Sequence, residues 1–407
     1  MTAPVASKVE PGLDPQRAKR DAEPARTPLR GVYFGGDATN PTLILRINSF
    51  LAAGVGITAF TFRRSKFNTA FQPTWRNIHL GETSDRRYVP RLLPLVSACR
   101  IIARHRSAFD GVDFIYARML DMVLLALFAK VWFRLDAKIV YEVEDVQAIF
   151  FRKSLAGAVF RWIERCVLAH TQLLVVLSPG FLRGYFAPMQ NYAGPWFVLE
   201  NKIQPADPTA PSGPAADRWR TLRDKWVIGW FGTLRCPQSM EILAEIAERL
   251  GERVEIYTRG YPTETGLAHY MEIVDGHPNW TYEGEYRIPR DLEEMYGRVH
   301  FTWCLDFLDV GGNSELLLAC RMYQGGFYGS VPLVTTGTEM ERFLAPHGIG
   351  HAFAAPFAEN IAAFLKKLSW EDYVQERERI LGLSRRLFLE DGSDMQRLLE
   401  AIRALPR

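Results

Sequence analysis

The chain has 407 residues, of which 48% are hydrophobic and 23% charged, so it has the composition of a globular protein with apolar material for two cores. Its five cysteines are scattered without a Cys-x-x-Cys pair or a Cys/His array. Neither a disulfide framework nor a zinc site is indicated, and a reducing, cytoplasmic compartment is expected. The longest apolar run, residues 119–133, contains Asp121 and Lys130 and is too short to span a bilayer.

The net charge of +3 is unevenly distributed along the chain. Residues 30–200 carry 21 Lys and Arg against 12 Asp and Glu, whereas residues 201–407 carry 23 against 30. A basic N-terminal half suits contact with an anionic membrane surface or attraction of an anionic lipid-linked acceptor. A charge difference without a function would look the same. Nucleic acid is not expected as a partner, because the basic residues are dispersed and form no recognised nucleic-acid module.

The N-terminal half alternates between strand-like and helix-like segments. Residues 1–29 contain no apolar segment of a signal peptide and are predicted to be a disordered tail. From residue 30 to residue 203 the alternation predicts a parallel sheet with helices on both faces. The predicted strands are residues 31–36, 56–64, 114–117, 138–145, 173–178 and 196–201, and the predicted helices are residues 41–53, 90–106, 120–133 and 156–169.

A Pro- and Gly-rich segment, QPADPTAPSGPAAD, separates this half from a second one. It predicts a linker over residues 204–219. The alternation then restarts and predicts a second Rossmann-like domain over residues 220–385, followed by a C-terminal helix within 386–407. The predicted strands are residues 227–232, 254–260, 280–284, 300–307 and 331–336, and the predicted helices are residues 239–250, 289–298, 358–367 and 370–388, with a last one ending at 403.

The segment GGNSELLLACRMYQGGFYGSVP, residues 311–332, is the most informative part of the sequence. A glycine loop leads into a predicted helix, for which Asn313 or Ser314 would serve as the N-cap. Such a loop is a site for an anion, because unpaired backbone N–H groups and the helix dipole both point at it.

The same helix carries Arg321, Tyr323 and Gln324, and it is predicted to stop at Gly325 and Gly326. Because Arg321 and Gln324 are three residues apart, they share one face of the helix. One cation and one amide above a phosphate-sized pocket fit a nucleoside diphosphate. An ordinary amphipathic helix between two loops would show the same pattern.

Carboxylates cluster where the predicted strand 138–145 ends. Strand alternation places Glu142 and Glu144 on one face and turns Asp145 toward the carboxyl edge of the sheet, where ligands bind in open parallel sheets. A carboxylate there could accept the proton of an attacking hydroxyl, and crowding of like charge would raise one pKa. The alternative is a strand end with solvated acids or a buried Arg partner.

Two further strand ends carry candidate ligand contacts. Gly35 and Gly36 end the first predicted strand and Asp37 follows it; these residues would let backbone approach a ligand, unless they form a tight turn with positive φ. Asp306 lies at the end of the strand 300–307, close to Gly312, and would either accept from sugar hydroxyls or cap a turn.

Residues 311–332 resemble the nucleotide-sugar-binding helix of GT-B glycosyltransferases, in particular those of bacterial exopolysaccharide synthesis of the succinoglycan type. The family pattern is Asn-Ser, an apolar run, Arg-x-Tyr-Glu-Gly-Gly and Gly-x-Val-Pro. In this chain it stands as Asn313-Ser314, residues 316–318, Arg321 to Gly326 and residues 329–332, with Gln324 in place of the family's Glu. Segments IVYEVEDV, VVLSPGFLRGYF and VLEN extend the resemblance over about residues 30–390.

This resemblance implies a GT-B fold and the transfer of a sugar from a nucleoside-diphosphate sugar. It favours Asp145 as the base, with Glu142 and Glu144 behind it, and a base is needed only if configuration inverts. It assigns the strand end Gly232, Thr233 and Arg235 to the donor pyrophosphate. The donor site would therefore comprise Gly232, Thr233, Arg235, Asp306, Gly312, Asn313, Ser314, Arg321, Tyr323, Gln324 and Gly325, with an acceptor loop at Gly35, Gly36 and Asp37.

The family Glu accepts from the ribose hydroxyls, and an amide oxygen at Gln324 would do so without charge assistance. No Asp-x-Asp motif occurs, which argues against a metal-dependent GT-A transferase, and no cofactor or metal is expected. The expected protein is a cytoplasmic, membrane-associated transferase acting on a lipid-linked saccharide. A GT-B epimerase is an alternative, and so is an inactive homologue that binds nucleotide-sugar as an assembly subunit.

Overall fold

The computed structural model describes residues 28–64, 70–83, 92–204, 214–263 and 266–406. They contain two parallel sheets, each with helices on both sides, which confirms the predicted α/β class with two doubly wound domains. The predicted tail lies outside the described residues up to residue 27, as do linker residues 205–213. Of the helices within these ranges, none combines the length and the apolar character needed to cross a membrane.

The N-terminal domain is built on a seven-stranded sheet with the order β3-β2-β1-β4-β5-β6-β7. The central strands are apolar runs buried on both faces, as parallel strands between helix layers must be. The strand order reverses between β1 and β4, so a ligand crevice is expected at their carboxyl ends. The strands are β1 (Arg30–Gly35), β2 (Gly56–Arg63), β3 (Arg76–Glu82), β4 (Phe114–Arg118), β5 (Lys138–Val143), β6 (Leu173–Val176) and β7 (Trp196–Val198).

Helices of this domain follow the strands in alternation. Helix α3 is apolar almost throughout; one side packs on the sheet between α2 and α5, and the other side leaves Val131 and Trp132 exposed. The helices are α1 (Pro41–Ala52), α2 (Leu92–Ala103), α3 (Leu120–Phe133), α4 (Ala148–Phe151), α5 (Leu155–Leu168), α6 (Pro179–Phe181) and α7 (Ala187–Gln190), with a π-helical turn between the last two.

The C-terminal domain has a six-stranded sheet with the order β10-β9-β8-β11-β12-β13. Its order reverses between β8 and β11, which gives it a second crevice. The strands are β8 (Trp226–Leu234), β9 (Val254–Pro262), β10 (Trp280–Tyr282), β11 (Phe301–Trp303), β12 (Val331–Thr335) and β13 (His351–Phe353). The helices are α8 (Pro237–Leu250), α9 (Leu267–Asp275), α10 (Leu292–Arg298), α11 (Asn313–Leu316), α12 (Cys320–Phe327), α13 (Glu339–Leu344), α14 (Phe357–Lys367), α15 (Trp370–Gly382) and α16 (Ser393–Ala404).

Two segments outside the predicted domain bounds pack into the domain cores. Trp219, within the predicted linker, lies in a 3-10 helix at Pro214–Thr221 and is buried in the C-terminal core. Helix α15 ends at Gly382 and not at residue 388. The chain then pairs Leu389 with Ile203, and α16 packs its apolar side chains into the core of the N-terminal domain.

Candidate functional site

The side chain of Asn313 joins the carboxyl ends of the two sheets. Asn313, the first residue of α11, donates from Nδ2 to Asp145 Oδ1 at 2.9 Å. Its Oδ1 accepts from the Val146 N–H at 3.0 Å. Asp145 is exposed whereas Asn313 is buried. The structure therefore brings together the predicted base of the N-terminal domain and the predicted donor segment of the C-terminal domain.

Glu142 lies behind this contact in a buried ion pair. Its carboxylate is fully buried and accepts from Arg46 Nε at 3.1 Å and Nη2 at 3.0 Å. Burial by itself raises the pKa of Glu142, but Arg46 and Arg118 outweigh it and hold the pKa below its usual range. The buried Arg partner that the sequence left open as an alternative is therefore present at this carboxylate.

Glu144 forms a second ion pair at the same strand end. Arg118 Nη2 lies 2.6 Å from Glu144 Oε1, and the Thr42 hydroxyl donates to the same oxygen at 3.0 Å. Burial raises the pKa of Glu144, which Arg118 opposes and the charge of Asp145 reinforces. Of the three carboxylates, Asp145 is the exposed one. The strand ends at Val143 and not at residue 145, so the loop that follows it, and not strand alternation, sets the direction of Glu144 and Asp145.

A network of turn contacts holds Asn313 in place. Asp309 Oδ2 accepts from the Asn313 N–H at 3.0 Å, and Asp306 Oδ1 accepts from Ser314 Oγ at 3.2 Å and from the Leu308 N–H at 3.0 Å. A Cβ at Gly312 would lie 2.7 Å from Asp309 Oδ2. Asp306 therefore caps the turn that presents Asn313, which is the second role that the sequence left open.

The prediction of a single helix that begins at Asn313 and stops at Gly325 and Gly326 is wrong in two respects. The segment forms two helices, α11 with Gly312 as its N-cap and α12 with Ala319, so neither Asn313 nor Ser314 is the cap. Helix α12 also continues through Gly325 and Gly326.

Packing explains why glycines stand inside α12. A Cβ at Gly325 would lie 2.3 Å from Thr302 Oγ1, and one at Gly326 would lie 2.3 Å from Phe388 Cε1. The pair lets the helix approach β11 on one side and Phe388 on the other. The chain leaves the helix through Gly329, which has a φ of +80°.

The start of α12 faces the ion pairs of the N-terminal domain. Burial, followed by the charge of Glu144, raises the pKa of the Cys320 thiol to about 11. Arg321 is half-buried beside Cys304, and its Nε is buried without a hydrogen-bond partner among the described residues. The start of α12 therefore lies between the two domains. The Nε–H of Arg321 there could still donate a hydrogen bond to a ligand.

Two other polar residues of α12, Tyr323 and Gln324, are buried. Gln324 is buried, and its Oε1 accepts from the Tyr296 hydroxyl at 3.0 Å. Tyr323 is fully buried beside Glu200, and burial and then Glu200 raise its pKa. The amide oxygen that was predicted to meet a ribose is therefore bonded within the protein.

Gly232 and Arg235 lie at the switch point of the second sheet. Gly232 is within β8, with a φ of +111°, and the strand continues to Leu234. A Cβ at the paired Gly260 would lie 1.8 Å from Gly232 O, so the two strands run close together here. Thr233 is the next residue of β8, and Arg235 is half-buried in the loop that precedes α8.

The first strand end is a closed turn. The φ angles of Gly35 and Gly36 are not positive, so a turn requiring positive φ is the wrong explanation for these glycines. A Cβ at Gly35 would lie 2.3 Å from Leu43 Cδ1, so this glycine allows α1 to pack. Asp37 is buried, and its Oδ1 accepts from the Thr39 N–H at 3.0 Å and hydroxyl at 2.8 Å.

Sequence reasoning missed the arginines of this site. Arg46 stands inside the apolar helix segment PTLILRINSF, and Arg118 ends the strand FIYAR. A lone charge in an apolar run at the carboxyl edge of a sheet was the available signal. Within the described ranges, no group of three or more His, Cys, Asp or Glu side chains is arranged to hold a metal ion.

Two Rossmann-like domains whose strand ends meet across a cleft define the GT-B class, and solved structures agree. Sucrose-phosphate synthase from Thermosynechococcus elongatus matches with a TM-score of 0.69 at 13% identity, over 92% of this chain and 99% of the other. Anabaena HepE, solved in complex with UDP and glucose, matches with a TM-score of 0.66 at 13% identity, over 92% and 100%. These matches confirm the predicted GT-B fold.

The family follows from sequence. The succinoglycan biosynthesis protein ExoL of Rhizobium meliloti (strain 1021) is 33% identical over 378 residues, which cover 93% of this chain and 94% of ExoL. The chain belongs to the family of this protein, as the resemblance predicted. No protein-family model matches the chain.

Proposed function

We propose that the chain is a glycosyltransferase that moves a sugar from a nucleoside-diphosphate sugar to a lipid-linked saccharide in exopolysaccharide assembly. The observation that carries the proposal is the Asp145–Asn313 hydrogen bond, which sets an exposed carboxylate of one domain against the candidate donor segment of the other. The family membership supports the pathway, because the relative is a succinoglycan biosynthesis protein. The bound UDP and glucose of HepE support a nucleotide-sugar as the donor.

In this proposal the donor diphosphate lies between Arg235 and the start of α12. Arg321 would contact the phosphate oxygens, and the N–H groups of the helix end would add their dipole. Both arginines would stabilise the charge that develops on the leaving diphosphate. The donor sugar would lie toward Asn313 and Ser314.

Asp145 is proposed as the general base if the reaction inverts configuration. The acceptor hydroxyl would attack the anomeric carbon and release its proton to the carboxylate as the bond to the diphosphate breaks. Asn313 would orient that carboxylate through its amide. Glu142 and Glu144 form ion pairs with Arg46 and Arg118. They would contribute to the electrostatic field at Asp145 and would not exchange the proton themselves.

A thermal-shift measurement with UDP, GDP and their sugars, with and without Mg²⁺, tests the donor site. A ligand at about 100 times its dissociation constant stabilises a protein by roughly 2.7 kcal/mol, so a shift of several degrees is expected for one nucleotide sugar. A shift that requires Mg²⁺ would contradict the metal-independent donor site. No shift with any nucleotide sugar would contradict the proposed donor site itself.

The second candidate function is an inactive subunit that binds nucleotide-sugar, and the bond between Gln324 and Tyr296 favours it. A Gln324→Glu variant separates the two functions. Transfer of a radiolabelled sugar by the wild-type protein to membrane extract supports the transferase. Donor binding without transfer, in both the wild type and the variant, supports the subunit.

A further inference from the structure

Helix α5 exposes apolar side chains and buries a charged one. Leu155 is 83% exposed and Trp162 62%, and Val159 is exposed between them. The spacing i, i+4, i+7 places all three on one stripe of the helix. The buried side of the helix holds Glu164, which accepts from the Tyr141 hydroxyl at 2.9 Å and from Gln190 Nε2 at 2.7 Å. The outward stripe is therefore apolar, the reverse of a helix that faces water.

Helix α3 repeats this pattern. Val131 is 75% exposed and Trp132 61%, and Leu124 is exposed on the same stripe. Phe128 stacks on Trp132 with ring centroids 5.6 Å apart. The opposite side of the helix supplies Met122, Val123, Leu125, Ala126 and Ala129 to the core.

The two stripes belong to one surface. Helices α2, α3 and α5 pack on the same side of the N-terminal sheet and contact one another in that order. The exposed apolar side chains of these three neighbouring helices are here called the apolar face. It consists of Val96, Leu124, Val131, Trp132, Leu155, Val159 and Trp162.

Basic residues outnumber acidic ones on the three helices that carry the apolar face, although Arg106 is paired with Asp110 just beyond them. Segments 92–106, 120–134 and 152–168 contain nine Lys and Arg against two acids, Asp121 and the buried Glu164. Arg100, Arg104, Arg134, Arg152 and Lys153 are exposed. A second copy of this chain would bring like charges together on this face, so self-association is disfavoured. Tryptophan with arginine around an apolar centre is instead the composition that binds at the headgroup level of a bilayer.

We propose that the apolar face docks the protein on an anionic lipid bilayer, with Trp132 and Trp162 inserted at the interface. This deepens the proposed function, because Leu155 begins the helix that follows Asp145 by one short helix, α4. A bilayer on this face would meet the rim of the cleft, where the sugar end of a lipid-linked acceptor could reach Asp145. The docking itself is measured without any transfer reaction, so it can fail or succeed independently of the donor site.

The test is co-sedimentation of the full chain with vesicles of phosphatidylcholine alone or with about a third phosphatidylglycerol. Binding is expected with the anionic vesicles and should weaken as salt rises. Trp132→Ala with Trp162→Ala, and separately Arg152→Glu with Lys153→Glu, should each weaken binding by about tenfold or more. Leu267→Ala with Ile288→Ala, and Lys366→Glu with Lys367→Glu, are matched exposed changes on the C-terminal domain and should leave binding unchanged.

Equal loss in the matched variants would overturn the proposal, as would equal binding to both vesicle types or no binding to either. A concentration-dependent dimer that the tryptophan variant abolishes would also overturn it in favour of a second copy. A cooperative urea unfolding transition at the wild-type midpoint verifies that each variant is folded, and the thermal shift with a nucleotide sugar reports on the donor site separately. A normal thermal shift without vesicle binding would support the donor site and contradict the docking. Vesicle binding without a thermal shift would support the docking and contradict the donor site.

Discussion

The side chain of Asn313 satisfies two groups of the other domain at once. Its amide donates to Asp145, and its carbonyl accepts from the Val146 backbone. An aspartate at this position could not donate and would repel Asp145, so the amide is chemically specific. The orientation of the proposed base, Asp145, therefore depends on the two domains lying close enough for Asn313 to reach it.

Replacing Asp145 by Asn keeps its shape but removes the proton acceptor. In an inverting enzyme the rate constant kcat should fall by about 10²–10⁴-fold, while the donor KM stays nearly unchanged. Steady-state transfer assays on the purified variant measure this. Asp136→Asn, an exposed acid at the opposite end of β5, is the matched control and should keep wild-type rates. Equal activity of Asp145→Asn and the control would remove the general base from the mechanism and favour retention.

At the scale of the element, α12 shows how a glycine pair can have two explanations. Gly325 and Gly326 were predicted to end the helix, yet both lie inside it. From the sequence alone, a position that requires a positive φ cannot be distinguished from a position with no room for a Cβ, because glycine occupies both. The second requirement depends on Thr302 and Phe388, which are distant in sequence.

Gly325→Ala should destabilise the C-terminal domain. The added methyl group would lie 2.3 Å from Thr302 Oγ1, and Thr302 is buried and bonded to Ser330 Oγ at 2.8 Å, so it cannot move aside freely. Overpacking of this kind costs about 1–3 kcal/mol.

Urea unfolding followed by tryptophan fluorescence measures the loss. Gly382→Ala, at the end of α15, is the matched control, since nothing lies within 4 Å of its added Cβ. It should leave stability unchanged or raise it by up to about 1 kcal/mol. Similar losses in both variants would mean that the close approach of α12 to β11 does not limit stability.

The strand cores and most helices could be predicted because local periodicity determines them. β3 was missed because Arg76–Glu82 mixes polar and apolar residues at the edge of its sheet. β13 (His351–Phe353), also an edge strand, was missed too. At the site, Asp145 and the segment with Asn313 were singled out, but the sequence did not show their mutual contact. Arg46 and Arg118 were missed because only the fold reveals which carboxylate each one meets.

At the scale of the whole molecule, the chain passes between the domains at a charged cluster. Lys202 lies 3.3 Å from Glu200 and 3.0 Å from Asp394. Close by, the Glu390 N–H donates to Ile203 O at 3.0 Å. Buried charges at the crossing couple the domain boundary to pH.

Glu390 should make the stability fall between about pH 4.5 and pH 7. Burial, and then the charge of Asp394, raises its pKa from the ordinary 4.5 to about 7. In this range the folded state holds a proton that the unfolded state has released. The stabilisation is therefore complete below the unfolded pKa and is lost as the pH rises through the folded one.

Melting temperatures of the wild type and Glu390→Gln across this range measure the effect. The variant should lose part of the pH dependence and gain stability relative to the wild type at the alkaline end. Glu371→Gln, an exposed acid on α15, should follow the wild-type curve. Parallel curves for wild type and Glu390→Gln would show that Glu390 does not hold the proton.

Because α16 packs on the N-terminal domain, that domain depends on a segment that is translated after the C-terminal domain. Met395, Leu398, Leu399 and Ile402 pack into a core whose other residues come mainly from α1 and from strands β1, β2, β4, β5 and β6. The ribosome makes those elements first, but their apolar surface stays uncovered until residues 393–404 have emerged. The domain translated first is therefore the last to be completed, and residues 28–204 expressed alone would lack one wall of their own core.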